Sequence, residues 1–399
     1  MKKLMILGGS RYIIPVIEAA HQLGIYVITC DYLPNNIAHK YSDEYVNVSI
    51  IDKEAVLKVA EELKIDGIMS FACDPGVTTM AYVAEILNLP SVGSYESVSI
   101  LQNKRKFRKF LTENGFNVPV AKGYFNADDA INDCGIFNWP VIVKPVDSAG
   151  SKGVTRVDKK DDLKEAINYA LKYSLTNEFI IEDFLVQKGF SSDSDCFSID
   201  GQMVFYSFSS QRFDQDCENP YTPSAYSWPS SISEEHIEEL KKEIQRLVKL
   251  LNLKTSIYNI EVRESTNGQA YIMEMSPRGG GNRLAEMVRI ATGVDMIKEY
   301  VKFTVGLKCD KIEQKPYNCH LAEVILHSEV PGIFEALWIN EEIINNVYEQ
   351  DLWIEKGTKI GGFKGANEAI GTLVLKFNSS EELDRIMNNL KEYVQVMIK

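Results

Sequence analysis

The sequence predicts a mixed protein, α/β at its start and α+β beyond it, and three observations carry that prediction. Short apolar runs alternate with amphipathic helical stretches over residues 4–87. Apolar runs and hairpin turns then dominate residues 139–210. The tail beyond residue 305 is rich in strand-like runs and glycine. Strict alternation of strand and helix favours a parallel sheet, whereas runs of strands with segregated helices favour α+β layers. With 399 residues the chain is too long for one ordinary core.

The first apolar run, residues 4–7, reads as a strand. Gly8-Gly9-Ser10 is a tight turn, residues 12–23 read as a helix and residues 25–30 as a second strand. This βαβ opening repeats more weakly through residues 45–50, 53–63 and 67–71, with a further helix over 77–87, and makes a Rossmann-like unit over residues 1–95. The loop is not G-x-G-x-x-G, so a bound dinucleotide is not expected. Arg11 and Asp74 follow strands, where open α/β sheets place ligand crevices.

Residues 101–111 read as one basic helix with Phe107, Phe110 and Leu111 on one side, and Lys104 near its start is within reach of a phosphate. Residues 139–145 form an apolar strand that ends in Lys144 and Pro145. The following loop, Asp147-Ser148-Ala149-Gly150-Ser151-Lys152-Gly153-Val154, has small residues that allow close backbone approach and an anion-binding nest. Residues 161–173 read as a helix, and residues 178–185 as a strand breaking at Glu182-Asp183-Phe184-Leu185, where backbone groups and apolar walls suit a purine. Residues 193–200 and 203–209 form a hairpin over Gly201. Residues 211–230, rich in Pro, Ser, Tyr and Asn, read as an irregular loop or lid. Residues 233–251 are a long amphipathic helix with Ser233 as its N-cap. Residues 283–291 and 295–305 are helical, 319–327 and 372–377 strand-like, and 380–397 a closing helix.

The chemistry converges on residues 271–282. An apolar run delivers Glu274, followed by Ser276-Pro277-Arg278 and three glycines, and Glu261 ends the preceding apolar run. If the two runs are neighbouring strands, their carboxylates face one point, which suits a hard cation such as Mg²⁺ together with phosphate oxygens.

Composition sets the outer limits. Apolar residues make up 45% and charged residues 25%, as in soluble globular proteins. The net charge of −13 argues against nucleic acid or anionic membrane as the main partner. Seven cysteines, none in a C-x-x-C pair, point away from a zinc knuckle or a disulfide framework and toward a reducing cytoplasm. No apolar run approaches the length of a signal-peptide core at the N-terminus or of a membrane span.

Taken in order, Lys104, Val-Ile-Val-Lys144-Pro, the Ser-Ala-Gly-Ser-Lys-Gly loop, Glu182-Asp-Phe-Leu185, Glu261 and Glu274-Met-Ser-Pro-Arg278 resemble the ATP-grasp superfamily over nearly the whole chain. Within it the sequence is similar to biotin-carboxylase-like and carbamoyl-phosphate-synthase-like carboxylate–amine ligases. The Arg-Gly-Gly-Gly-Asn282 ending and the long tail look most like the L-amino acid ligases. The resemblance implies a two-lobed ATP-grasp fold over residues 96–305, with a small lobe at 118–184 and a large lobe at 185–305. It also implies a C-terminal β-rich part over 306–399.

The resemblance further implies ATP with Mg²⁺ or Mn²⁺, and small-molecule carboxylate and amine substrates; a homodimer is left open. Lys104 and Lys144 would contact the phosphates, and Ser148, Gly150, Ser151, Lys152 and Gly153 would close over them. Glu182, Phe184 and Leu185 would line the adenine slot, and Glu261 and Glu274 would hold the metal. Arg278 would bind the transferring phosphoryl group. Substrate recognition would fall on Arg11, Asp74, Arg278, Gly280, Asn282 and the 211–230 segment. Ser276 stands where the superfamily often has an asparagine metal ligand, so metal binding through it is expected to be weaker. The alternatives are a phosphoribosylamine–glycine ligase type, a carboxylase-like enzyme, a non-catalytic ATP-binding protein and, on the N-terminal βαβ alone, a dehydrogenase.

Overall fold

The structure, a computed structural model, describes residues 1–148 and 150–399; Ala149 of the glycine loop lies outside the described residues. Four parallel strands open the chain, in the order Glu44–Val46, Tyr26–Cys30, Lys3–Leu7, Gly67–Ser70. Leu4 to Leu7 are fully buried, as expected of a strand covered on both faces by helices. Those helices include Ile14–Gln22, Lys53–Leu63 and Val77–Ile86.

The basic helix expected over residues 101–111 is two helices, Tyr95–Gln102 and Lys104–Glu113. Asn103 between them is extended, and its side-chain carbonyl accepts from the backbone N–H of Lys106. Asparagine competes with helical hydrogen bonding in mid-helix and satisfies it at an N-cap. The break makes Lys104 the first residue of its helix.

The small lobe is an antiparallel sheet in the order Ala121–Tyr124, Phe179–Asp183, Val141–Pro145, Thr155–Val157. It has its own core, built from Val141, Val143, Phe179 and Ile181 under helix Leu163–Leu171. A second antiparallel sheet runs Gln202–Phe205, Ser192–Ile199, Ser256–Glu264, Ala270–Ser276. Helix Glu234–Leu250 packs on it. Ser233 occupies the N-cap position, but its hydroxyl donates to Glu264 instead of capping.

Two further elements differ from the sequence reading. The 211–230 segment is not an irregular lid: Ser210–Phe213 and Pro223–Trp228 form an antiparallel hairpin. Its hydroxyl-rich strands are buried because their polar groups pair with one another, Arg212 Nη1 with Ser227 Oγ at 2.6 Å and Gln211 with Ser191 at 3.0 Å. This hairpin continues into His320–Leu326, Gly371–Phe377 and Val347–Leu352, so one five-stranded sheet crosses residue 305. The closing helix stops at Met387, where Asn388-Asn389 end it. Val394–Ile398 then pairs with Gly332–Ile339 as a strand, its residues alternating in exposure. Among the described residues no helix is long and apolar enough to cross a membrane.

Candidate active site

A cleft of about 250 Å³ lies between the small lobe, the sheet of residues 192–276 and the loop after the N-terminal sheet. Glu261 and Glu274 are direct cross-strand partners beside a register shift, and both line it. On its other side Glu261 is opposite Asp193, so three carboxylates form a row across the sheet. Like charges directly opposite on a sheet repel. Among the described residues only two cations answer the row at close range: Lys104 Nζ is 3.6 Å from Glu274, and Arg263 Nη2 is 2.9 Å from Glu261. Burial, and then the charge on Glu261, push the Asp193 carboxyl up to about 8. The cross-strand pair Glu261 and Glu274, short of counter-charge on one wall of the cleft, suits a hard divalent cation. Asp193 was not singled out from the sequence. Its signal was a Ser-Asp-Ser-Asp run inside an otherwise buried strand.

The second half of the cleft is cationic. Glu182 is buried and carries Arg108 on one oxygen and Lys144 on the other, at 2.8 and 2.7 Å. Burial works to raise its carboxyl, but the two cations prevail and hold it at about 2. The Glu182 carboxylate is thus committed to Lys144 and Arg108, and Phe184 and Leu185 line the cleft beside it. Arg156 stacks on Phe184 from 4.6 Å. Burial lowers the pKa of Lys144, opposed by Glu182. Lys104 Nζ donates to the Ser148 carbonyl at 2.9 Å, bridging the glycine loop and the acidic row. Ser148, Gly150 and Ser151 reach the cleft, whereas Lys152 and Gly153 are not among its walls. Ser151 Oγ donates to the Tyr221 carbonyl at the tip of the 210–228 hairpin, 2.8 Å away.

Arg278 is buried and grips Asp74 through two bonds, Nη2 to Oδ2 at 2.7 Å and Nε to Oδ1 at 2.9 Å. Burial opposes the charge on Asp74, yet Arg278 overcomes it and leaves that carboxyl below its ordinary value. A third guanidinium bond goes to Asn259 Oδ1, and Asn259 in turn donates to Asp193 at 2.6 Å. Just beyond, the Ala72 N–H donates to the Gly279 carbonyl, and a Cβ on Gly279 would collide with the Phe71 ring.

Ser276 is 1% exposed and lies outside the cleft wall. Its hydroxyl donates to Asp74 at 3.0 Å and accepts from Gln102 at 2.8 Å. The residue expected to complete the metal set is therefore engaged with the N-terminal unit. Arg11, Gly280 and Asn282 also lie outside this cleft. Arg11 stacks on Trp353 at 4.9 Å, and the Gly280 N–H donates to Asp195 at 2.9 Å. Asn282 accepts from Tyr12 at 3.1 Å and donates to Tyr226 at 3.2 Å, and Tyr226 reaches Asp193 at 3.5 Å. Beside them Glu323 is fully buried, and among the described residues neither of its oxygens has a partner. Burial pushes its carboxyl well above the ordinary value, with Arg283 opposing and Glu286 and Glu349 adding to the rise.

A carboxylate row thus faces two lysines across an interlobe cleft in a layered α/β and α+β chain. Residues 137–286 match the ATP-grasp domain family. Similar sequences include the carbamoyl phosphate synthase large chains of Thermotoga neapolitana, 27% identical over 56% of this chain and 20% of that one, and of Pseudothermotoga lettingae, 25% identical over 84% and 31%. The chain spans under a third of the length of these relatives.

Among solved structures, L-amino acid ligase from Bacillus licheniformis superposes with a TM-score of 0.81 at 22% identity, over 100% of this chain and 99% of that one. Phosphoribosylglycinamide synthetase from Anaerococcus prevotii gives 0.75 at 20%, over 100% of both chains. The biotin carboxylase domain of 2-oxoglutarate carboxylase from Hydrogenobacter thermophilus, a dimer in complex with MgADP, gives 0.74 at 16%, over 100% and 91%. The chain carries a segment that matches the ATP-grasp domain and shares the fold of these ligases and synthetases from end to end.

Proposed function

We propose that the protein is an ATP-dependent carboxylate–amine ligase. A substrate carboxylate oxygen attacks the γ-phosphorus, the bond to the β-phosphate oxygen breaks, and ADP leaves with an acyl-phosphate retained. An amine then attacks the acyl carbon, the carbon–oxygen bond to phosphate breaks, and the amine gives up a proton. The observation that carries this reading is the Glu261–Glu274 pair facing Lys104 and Lys144 across one cleft. Glu261 and Glu274, with Asp193 beside them, would hold Mg²⁺ or Mn²⁺, which neutralises phosphate charge when bound. Lys104 and Lys144 orient the phosphates, Phe184 and Leu185 flank the base, and Arg278 receives the charge that spreads over the transferring group. The Ser148–Ser151 loop, tied to Tyr221, keeps water from the acyl-phosphate.

The likeness to the L-amino acid ligase of Bacillus licheniformis supports an amino acid as the amine. An ADP- and phosphate-release screen over carboxylate and amine pairs, with mass spectrometry of the product, tests the function; ADP release by Glu274→Gln at the wild-type rate would refute it. A second reading, nucleotide binding without turnover, is favoured by the engagement of Ser276 away from the carboxylate row. Nucleotide binding with no product from any pair would select it. Light scattering tests whether the chain pairs as the Hydrogenobacter domain does.

A further inference from the structure

The larger cavity of the protein is not the cleft between the lobes. A space of about 880 Å³ opens on the hairpin, the His320–Leu326 strand and the C-terminal strand. Its wall carries Asp214, Asp216, Glu329 and Glu392 against Arg212 and Lys391, so its charge is net negative. Lys391 is already shared, its ammonium meeting Asp214 Oδ1 at 2.9 Å, Asp216 at 2.6 Å and Glu329 at 2.5 Å. The other oxygen of Asp214, Oδ2, meets His327 Nε2 at 3.3 Å.

Asp214, Cys217 and His327 bring a carboxylate oxygen, a thiol sulfur and an imidazole nitrogen within 4.8 Å of one another. The first two lie in the hairpin loop, and His327 follows the His320–Leu326 strand. His327 Nδ1 is 2.6 Å from the Ile325 carbonyl. A carbonyl can only accept, so Nδ1 carries a hydrogen, and Nε2 of the neutral ring turns its lone pair to Asp214 Oδ2. Two acceptors then face each other, and a proton or a metal ion must stand between them. A ligating imidazole is held in this way, its second nitrogen donating to a carbonyl. The 3.3 Å separation is long for a hydrogen bond. It matches the spacing of about 3.3–3.5 Å between oxygen and nitrogen ligands on a tetrahedral Zn²⁺. Phe363 stacks on the ring at 4.0 Å and fixes its plane. Burial, and then the charge on Asp214, push the Cys217 thiol up to about 12, so an incoming ion displaces the thiol proton into solvent.

We propose that Asp214, Cys217 and His327 form a second metal site, separate from the carboxylate row, which takes a divalent cation of the Zn²⁺ class. One thiolate, one imidazole and one carboxylate suit Zn²⁺, whereas Mg²⁺ takes oxygen ligands. Three protein ligands leave a fourth position for water from the cavity. The ion clips the hairpin loop to the end of the sheet, and the same loop carries Tyr221, whose carbonyl holds Ser151 of the glycine loop. The site stands whether or not the chain is a ligase.

Calorimetry on the full chain, stripped with a chelator and returned to excess Mg²⁺ to fill the hard oxygen sites, tests this with Zn²⁺ as the probe. One Zn²⁺ per chain is expected to bind. With Co²⁺ in its place, a sulfur-to-metal charge-transfer band is expected in the near ultraviolet and should vanish in Cys217→Ser. His327→Gln is expected to weaken Zn²⁺ by about a hundredfold or more. Asp216→Asn removes an exposed carboxylate that belongs to Lys391, and is expected to leave the affinity within about threefold. A cooperative thermal melt in chelator reports that each variant is folded. Absence of Zn²⁺ binding to the native chain would mean that a proton alone joins His327 to Asp214, and would overturn the proposal. So would a missing charge-transfer band, its survival in Cys217→Ser, an unchanged affinity in His327→Gln, or an equal loss in Asp216→Asn.

Discussion

Two charged groups flank the interlobe cleft, and they are built in opposite ways. Around Glu182 one anion is enclosed by two cations, all three largely buried and within 2.8 Å. Around Glu261 three carboxylates stand in a row, with one lysine at 3.6 Å and one arginine turned to the middle member. The first group has its anion matched by cations on both oxygens and acts as a fixture that aims Lys144. The second is short of positive charge and is stable only insofar as solvent or a cation attends it. Binding chemistry belongs where compensation is left unfinished.

Breaking each group separates the two. Glu182→Gln leaves Arg108 and Lys144 buried and facing each other, so it is expected to cost about 3–5 kcal/mol of stability in urea unfolding. The same carboxyl, held at about 2 against an ordinary 4.5, contributes stability that is complete above 4.5 and fades as the pH falls toward 2. The acid limb of a stability–pH curve should therefore flatten in the variant.

Glu274→Gln and Glu261→Gln are expected to abolish ADP release while unfolding within about 0.5 kcal/mol of the native chain, because removing a member of a repelling row relieves it. A loss of several kcal/mol would show that the row is structural. Glu323 has the reverse sign from Glu182. Its folded carboxyl lies above its unfolded value, so its contribution is complete below about 4.5 and is lost as the pH rises. Glu323→Gln should remove that decline, read by thermal melting across pH. The smallest effect on turnover is expected for Ser276→Ala. It loses one bond to Asp74 and one from Gln102, about 1 kcal/mol each, and should leave the Mg²⁺ dependence of turnover unchanged. A marked shift in that dependence would return Ser276 to the metal.

The parallel N-terminal sheet, the hairpin over Gly201 and the two glutamates were legible because each rests on local periodicity or on one strand following the next. What escaped rests on long-range pairing. Asp193 joins the glutamates only through the register of a strand some seventy positions away (roughly; a loop closure of that length carries no local signal). Arg108 looks like one more solvated cation of a basic helix until Glu182 is brought beneath it. The 210–228 hairpin hid behind its composition, since serines and tyrosines read as loop until their partners on neighbouring strands are known. Asn103 could have been recognised as a cap from its own chemistry.

The close approach of Gly279 to Phe71 bears on how this protein can be rearranged. Arg278 takes its carboxylate partner from the N-terminal unit, and the adjoining backbone is pinned there through Ala72 and a position that admits no side chain. The N-terminal unit is thus a wall of the interlobe cleft and not an annex to it. A chimera that exchanges it for that of a relative would have to carry Phe71–Asp74 and Arg278–Gly279 together, as one inherited joint.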